Sequence, residues 1–485
     1  LNGSGQTVAS GTVAVSGGRL ELSGSGQLAT SARVKVEGGT FGFASGASGT
    51  VTRLDGVSVT SGSLETGANS VVGTGNTITL SGGQTTVSNG GRLEDGHVVI
   101  SGGTNTVQAG GVLAVTGSGA GLVLTGSGAG SGATLLTVEG GATPGKLSLA
   151  NGVEADVRGG NAKIGASGSG AQQGQTDLEG GVRTVHVLAN SGTGVLEVAT
   201  AVVNGGLVKT GSGALVLSGS NRIDNGVKLN EGVLTVGNAD GLNLGTSGQL
   251  TFGGGTLQYG SGVTADVSSR VAAISAGTVA VVDTNGQSVT FASGLSGSGG
   301  VRKEGAGVLT FTGVSSFSGG TEVRGGTLAV GTNQALSASG SVLVNGGTFD
   351  LTGTVQTIGV LRLAEGEIRG GTLSGSVYNV ESGTISSRLI GSGSLTKTVE
   401  GTTVTVSTKT GYTGGTTVEA GTLKLVVDDA LLAGGSVSVS GGTLALDSTT
   451  QHYGTVAITG GTVRGGTIEA TQVLGQSGVV TSVLT

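Results

Sequence analysis

Cysteine, methionine and tryptophan are absent from this chain of 485 residues, and proline occurs once, at Pro144. Without cysteine there is no disulfide framework, and nothing to be trapped by wrong disulfides in an oxidising compartment. Together with the repeats described below, this favours an extracellular setting. A single proline excludes collagen, which needs abundant proline and glycine at every third place. Charged residues are 11 % of the chain and the formal net charge is −6. No basic patch or charge run is long enough to recruit nucleic acid or an anionic membrane. No apolar stretch approaches the ~18 residues of a membrane-spanning helix. No helix-period stretch, and no capping box leading into an apolar run, is present either. The chain opens at Leu1 without a signal peptide, and VVTSVLT at the other end reads as an unfinished strand. It is therefore expected to be a processed or excised piece of something longer.

What the chain has is glycine, 105 residues of it, set among Val, Leu and Ile. A disordered Gly/Ser chain would lack those apolar residues. They alternate with small polar ones in short runs such as TVAVS, TITLS, LVLTG and TLAL. Period-two alternation of β-branched residues means half-buried strands, and the Gly or Ser pair closing nearly every run marks a turn. The tripeptide GGT recurs at 38–40, 102–104, 254–256, 319–321, 325–327, 346–348, 370–372, 414–416, 441–443, 460–462 and 465–467. Glycine takes positive φ without strain and lets a strand bend into the next face of a coil, and Thr re-enters strand geometry. A phosphate cradle is the other use of such glycines, but no Lys-Ser/Thr and no helix follows.

Longer repeats organise these runs. GGLVKTGSGALVLSG at 205–219, GGVRKEGAGVLTFTG at 299–313 and GSLTKTVEGTTVTVS at 393–407 hold Lys209, Lys303 and Lys397, a constant 94 residues apart. Each is followed by a second phrase: EGVLTVG at 231–237, GGTLAVG at 325–331 and AGTLKLV at 420–426. Repeats in fixed register mean stacked units rather than a globule with one centre. The chain divides into irregular rungs at 1–145, less regular rungs at 146–201, and three long repeats at 202–295, 296–389 and 390–485. All five are expected in one continuous coil of parallel strands, an elongated rod. A rung of ~20–25 residues makes four rungs per repeat natural. Stacked at ~4.8 Å, four rungs separate successive lysines by ~19 Å. Such lysines cannot form a continuous basic strip, and they are read as rung-edge charges that discourage lateral strand pairing. Leu207, Leu215, Leu234, Val301, Leu309 and Leu328 are expected inside, as are Phe252, Phe311 and Phe349, each of which interrupts an aliphatic strand face.

The compound pattern at 205–237 and 299–331, and more loosely at 393–426, resembles the passenger-associated transport repeat of autotransporter passenger domains. The third copy loses glycines in its first half but keeps GYTGGTTVEAGTL. The resemblance covers 202–485 well and 1–201 only in rung style. It implies a right-handed parallel β-helix secreted across the outer membrane of a Gram-negative bacterium. It also implies a repeat tied to translocation and rod formation rather than catalysis. The translocator barrel and junction helix of the full family layout are not in the sequence. Any membrane link is expected to run through that barrel.

Parallel β-helices also host polysaccharide-cleaving enzymes, which need converging carboxylates. Adjacent acids occur at Glu94–Asp95 and Asp428–Asp429. Neighbours on a strand point to opposite faces, so both pairs are expected at rung corners as solvated charges. His97, His186 and His452 lie far apart with no metal-binding spacing. No GxSxG elbow and no GGxGxD calcium repeat occurs. The threonines of TTVTVSTKT at 402–410 do not repeat their spacing from rung to rung as an ice-binding face would require. Catalytic, cofactor-binding and metal-ligating residues are accordingly expected to be none. The chain reads as a non-enzymatic surface stalk acting in adhesion or self-association. Its expected partners are molecules on host or neighbouring cells, or other copies of itself. Alternatives are an extracellular filament or sheath subunit stacking end to end, and, further off, a polysaccharide-active enzyme.

Overall fold

The structure, a computed structural model, describes residues 7–8, 11–23, 27–44, 51–117, 121–126, 133–190 and 194–485. The alternating runs become short strands, and each hydrogen-bonds in parallel to a strand one turn of the chain later. Strands with an apolar–polar alternation bury every second residue, as in Ser436–Val439 and Thr422–Leu425. The result is an all-β parallel solenoid. Among the described residues the only helical turns are two 3-10 turns, Gly170–Gln172 and Ser268–Arg270.

The chain forms two compact units, Leu1–Val263 and Thr264–Thr485. In the first, three strands make a turn. Val98–Ile100, Thr104–Val107 and Val112–Val115 pair with Leu122–Thr125, Ala133–Val138 and Lys146–Leu149 of the next turn. One inward column there runs Val34, Val57, Ile78, Val98, Leu122, Val153, Val185, Lys209, Leu229, Phe252. In the second unit the matching column is Lys303, Val323, Val344, Leu363, Val380, Lys397, Val418, Val439, Ile458. Five register steps therefore separate Lys303 from Lys397, not four. Several turns here are shorter than the ~20–25 residues expected. Five steps put those two lysines ~24 Å apart along the ladder.

Each repeat copy supplies four strands that ladder onto one another, and the third copy adds the short strand Gly411–Tyr412. The first copy gives β1 (Gly206–Thr210), β2 (Ala214–Leu217), β3 (Val227–Leu229) and β4 (Val233–Val236). The second gives β5 (Gly300–Glu304), β6 (Val308–Phe311), β7 (Thr321–Val323) and β8 (Thr327–Val330). The third gives β9 (Ser394–Lys397), β10 (Thr403–Val406), β11 (Thr416–Val418) and β12 (Thr422–Leu425). In every copy the first strand ladders onto the third and the second onto the fourth.

Leu207, Leu215, Leu234, Val301, Leu309 and Leu328 all lie inside, as do Phe252, Phe311 and Phe349. The rings of Phe291 and Phe311 stack on successive turns with centroids 5.8 Å apart. The irregular rungs expected over 1–145 fall partly outside the described residues; Thr7–Val8 pairs with Gln27–Leu28.

Nine of the eleven GGT tripeptides hold a glycine at positive φ, for instance Gly320 at 89° and Gly326 at 57°. The other two, at 38–40 and 441–443, owe their glycines to close stacking instead. A Cβ on Gly39 would meet Gly18 O at 2.7 Å, and one on Gly442 would meet Gly421 O at 2.8 Å.

Candidate functional site

The three repeated lysines are the most distinctive chemistry in the chain, and their place corrects the sequence reading. They are not rung-edge charges. Lys209, Lys303 and Lys397 each have 0 % exposure and point into the solenoid. Strand alternation dictates this. Lys303 is two residues from Val301 on β5, so it shares the inward face. A buried ammonium is tolerated only where its three donors find partners.

The corner after the lysine strand provides them. Lys209 Nζ donates to the carbonyls of Thr210 (2.9 Å), Gly211 (2.8 Å) and Glu231 (3.2 Å). Lys303 Nζ donates to Glu304 (2.6 Å), Gly305 (2.7 Å) and Gly325 (3.1 Å). Two of these oxygens belong to the lysine's own corner, and the third lies on the following turn, just before β4 or β8. In the third copy an extra residue separates the lysine from the second strand. Lys397 Nζ there donates to Val399 O (2.5 Å), Thr402 Oγ1 (3.0 Å) and Ala420 O (3.3 Å). A threonine hydroxyl thus replaces one corner carbonyl, and the bond to the next turn is kept.

The glycine after that cross-turn carbonyl has a matching constraint. Gly232, Gly326 and Gly421 have φ of 64°, 57° and 65°. A Cβ on them would lie 2.8, 3.0 and 2.4 Å from the three lysine nitrogens. Burial pushes the Lys209 and Lys303 ammoniums down to about 8, with nearby Glu231, and Asp283 with Glu304, pulling the other way. Lys397 is lowered for the same reason. The carbonyl cages favour the charged form in each copy.

A second buried polar device escaped the sequence reading. Gln356 and Gln451 have 0 % exposure. Gln356 donates to Thr332 O (2.7 Å) and accepts from Leu336 N–H (3.3 Å). Gln451 donates to Val427 O (2.8 Å) and accepts from Ala430 N–H (3.0 Å). Each closes a corner of the preceding turn. Their separation matches the lysine interval plus the extra residue of the third copy, which was the available signal.

The acids do not converge. Glu94 and Asp95 point to opposite faces of strand Arg92–Asp95, as alternation requires. Asp95, however, is not a solvated corner charge. It is buried, accepts a bond from His97 N–H at 2.7 Å, and has its carboxyl pushed up by burial. Asp428 and Asp429 do sit in a turn. Elsewhere acids pair with cations on the adjacent turn, as in Lys163–Glu197 (2.9 Å), Arg302–Glu322 (2.6 Å) and Asp350–Arg369 (2.7 Å).

His186 contacts Thr210 Oγ1 at 2.9 Å. His452 stands between two carboxylates on three successive turns. Its Nδ1 is 2.7 Å from Asp429 Oδ1 and its Nε2 3.2 Å from Glu469 Oε2, with Lys409 3.7 Å from Asp429. The hydrogen bond between them, more than their charges, raises the imidazole and lowers the Asp429 carboxyl. Both ring nitrogens are engaged by acids. Among the described residues no His, Asp and Glu cluster is arranged to hold a metal ion.

A family model described as passenger-associated-transport-repeat matches the chain three times, at residues 207–236, 301–330 and 395–425. Each match starts two residues before the lysine and ends with the second strand of the next turn. The third is one residue longer, as the extra corner residue requires. Three such repeats on a parallel β-solenoid match an autotransporter passenger domain. No curated protein and no solved structure matches the chain.

Proposed function

We propose that this passenger is a non-enzymatic stalk at the surface of a Gram-negative cell, acting in adhesion or self-association. One observation carries the reading: the side chain that recurs with the repeat is turned inward onto main-chain carbonyls, where it serves the coil and can touch no substrate. Several outward charges support it, because they pair with opposite charges on neighbouring turns, as in Lys163–Glu197, Arg302–Glu322, Arg362–Glu381 and Asp350–Arg369. A surface poor in charge leaves Ser, Thr and Asn as the groups that meet a partner. That partner is a molecule on a host or neighbouring cell, or another copy of the chain. The family of the repeat points to the same location.

The test is to coat inert beads with the purified chain, then measure bead clustering and binding to bacterial and epithelial cells. Clustering or cell binding that rises with coating density is expected. Beads that stay dispersed and bind nothing, from a chain that cleaves pectin or another polysaccharide, would reverse the reading. A second reading is end-to-end stacking. A second copy can extend any open parallel strand ladder. Sizing at increasing concentration separates the two, since stacking gives open-ended growth.

A further inference from the structure

Hydrophobic burial does little to fix the register of these strands. A slip of two residues along a strand keeps every inward side chain inward. On β6 and β8 the inward residues are Leu309 and Phe311, and Leu328 and Val330. Shifted by two, Leu309 still meets Val330, or Phe311 meets Leu328, and the parallel ladder re-forms. The outward ion pairs Arg302–Glu322 and Arg324–Glu322 are partly exposed and contribute little.

The lysine is different. Its ammonium is satisfied only when the Gly325 carbonyl of the next turn stands beside the Glu304–Gly305 corner. A two-residue slip moves that carbonyl by roughly 6.6 Å. The buried ammonium is then left with an empty donor, and no water is available to it. The three copies vary around the lysine. Glu231, Gly325 and Ala420 supply the cross-turn carbonyl, and Thr402 replaces a corner oxygen in the third copy. The bond to the next turn survives every variation.

We infer that Lys209, Lys303 and Lys397 are register pins: each fixes how the second strand of the following turn aligns on the coil, and penalises the two-residue slips that apolar packing tolerates. This role is independent of what the stalk does at a surface. It makes the lysine a positioning residue whose main effect is on which structure forms.

The absence of cysteine makes the test direct. Thr310 and Ala329 face outward and are register partners across β6 and β8. Thr310→Cys with Ala329→Cys therefore reports the native register. Thr310→Cys with Thr327→Cys reports a slip in one direction, and Val308→Cys with Ala329→Cys a slip in the other. In native register these diagonal pairs are roughly 8 Å apart, too far for a disulfide. Each pair is introduced into the parent and into Lys303→Met, which keeps the bulk and removes the charge. The proteins are unfolded, refolded and oxidised with glutathione disulfide. In the parent only 310/329 should close. In Lys303→Met a diagonal pair should close as well, in a substantial fraction of molecules. If 310/329 alone closes in Lys303→Met, the inference is wrong. If Lys303→Met fails to fold and no pair closes, the lysine acts on stability and the register role is again rejected.

Discussion

Lys303 sits in a column whose next four residues are Val323, Val344, Leu363 and Val380, and its environment sets its titration. Burial holds its ammonium, and that of Lys209, at about 8 against an ordinary 10.5. Between those values the unfolded chain binds more protons than the folded one. Stability from these groups is therefore lowest below about pH 8 and rises as pH increases toward 10.5. Denaturation midpoints at pH 8 and pH 10 should show this rise in the parent and a smaller one in Lys303→Met. Equal pH dependence in the two proteins would contradict the buried charge. Tyr378 works against the rise only at the top of the window. Burial pushes its phenol up to about 12, so its contribution is lost as pH climbs past 10. For the apolar part of the same rungs, Leu328→Ala should cost ~2–5 kcal/mol, because Leu328 has 0 % exposure. Unchanged thermal unfolding would disprove its inward place.

At the scale of strands and corners, glycine does two separable jobs. Gly326 combines φ of 57° with a Cβ position 2.3 Å from Gly307 O and 3.0 Å from the Lys303 nitrogen. Gly353 has φ of 76° with open space around it. Gly353→Ala should lose ~1 kcal/mol from backbone strain alone, and Gly326→Ala clearly more. Equal midpoints for the two variants would show that crowding at the lysine corner is unimportant. The His452 ladder gives a pH test of how three turns are held together. Its imidazole is raised above 6.5, so its stabilisation is present below that value and lost as pH rises through the folded one. The Asp429 carboxyl is lowered below 3.8, so its share is lost only as pH falls through the folded value. The melting temperature lost on His452→Gln should thus be larger at pH 5 than at pH 8; the same loss at both would contradict the ladder.

For the molecule as a whole, the solenoid was legible because alternation and the 94-residue interval are properties of the sequence itself. TVTV and TLKL announce strands with one buried face, and the structure buries every second residue of each. The lysine was misread because residue type outweighed phase. Lysine is rarely buried without a partner, and its partners here are main-chain oxygens that no residue name reveals. Yet Val301 is an expected inward residue, and alternation from Val301 puts Lys303 inside with it. Asp95 failed for the same reason, two residues from Leu93 on one strand. Turn length was over-estimated because loops between strands shrink without trace in the apolar pattern. The steps Leu363 to Val380 and Val380 to Lys397 are only 17 residues each.

The central claim is that the repeated lysines belong to the inside of the coil, and acetylating the folded chain tests it most directly. The chain has nine lysines. Lys35, Lys146, Lys409 and Lys424 carry exposed side chains. After brief treatment with an amine-reactive acetyl ester at pH 7.5, peptide mass mapping should find those four modified and Lys209, Lys303 and Lys397 untouched. All three should become reactive once the chain is unfolded. Acetylation of Lys303 in the folded chain as fast as Lys409 would contradict the account.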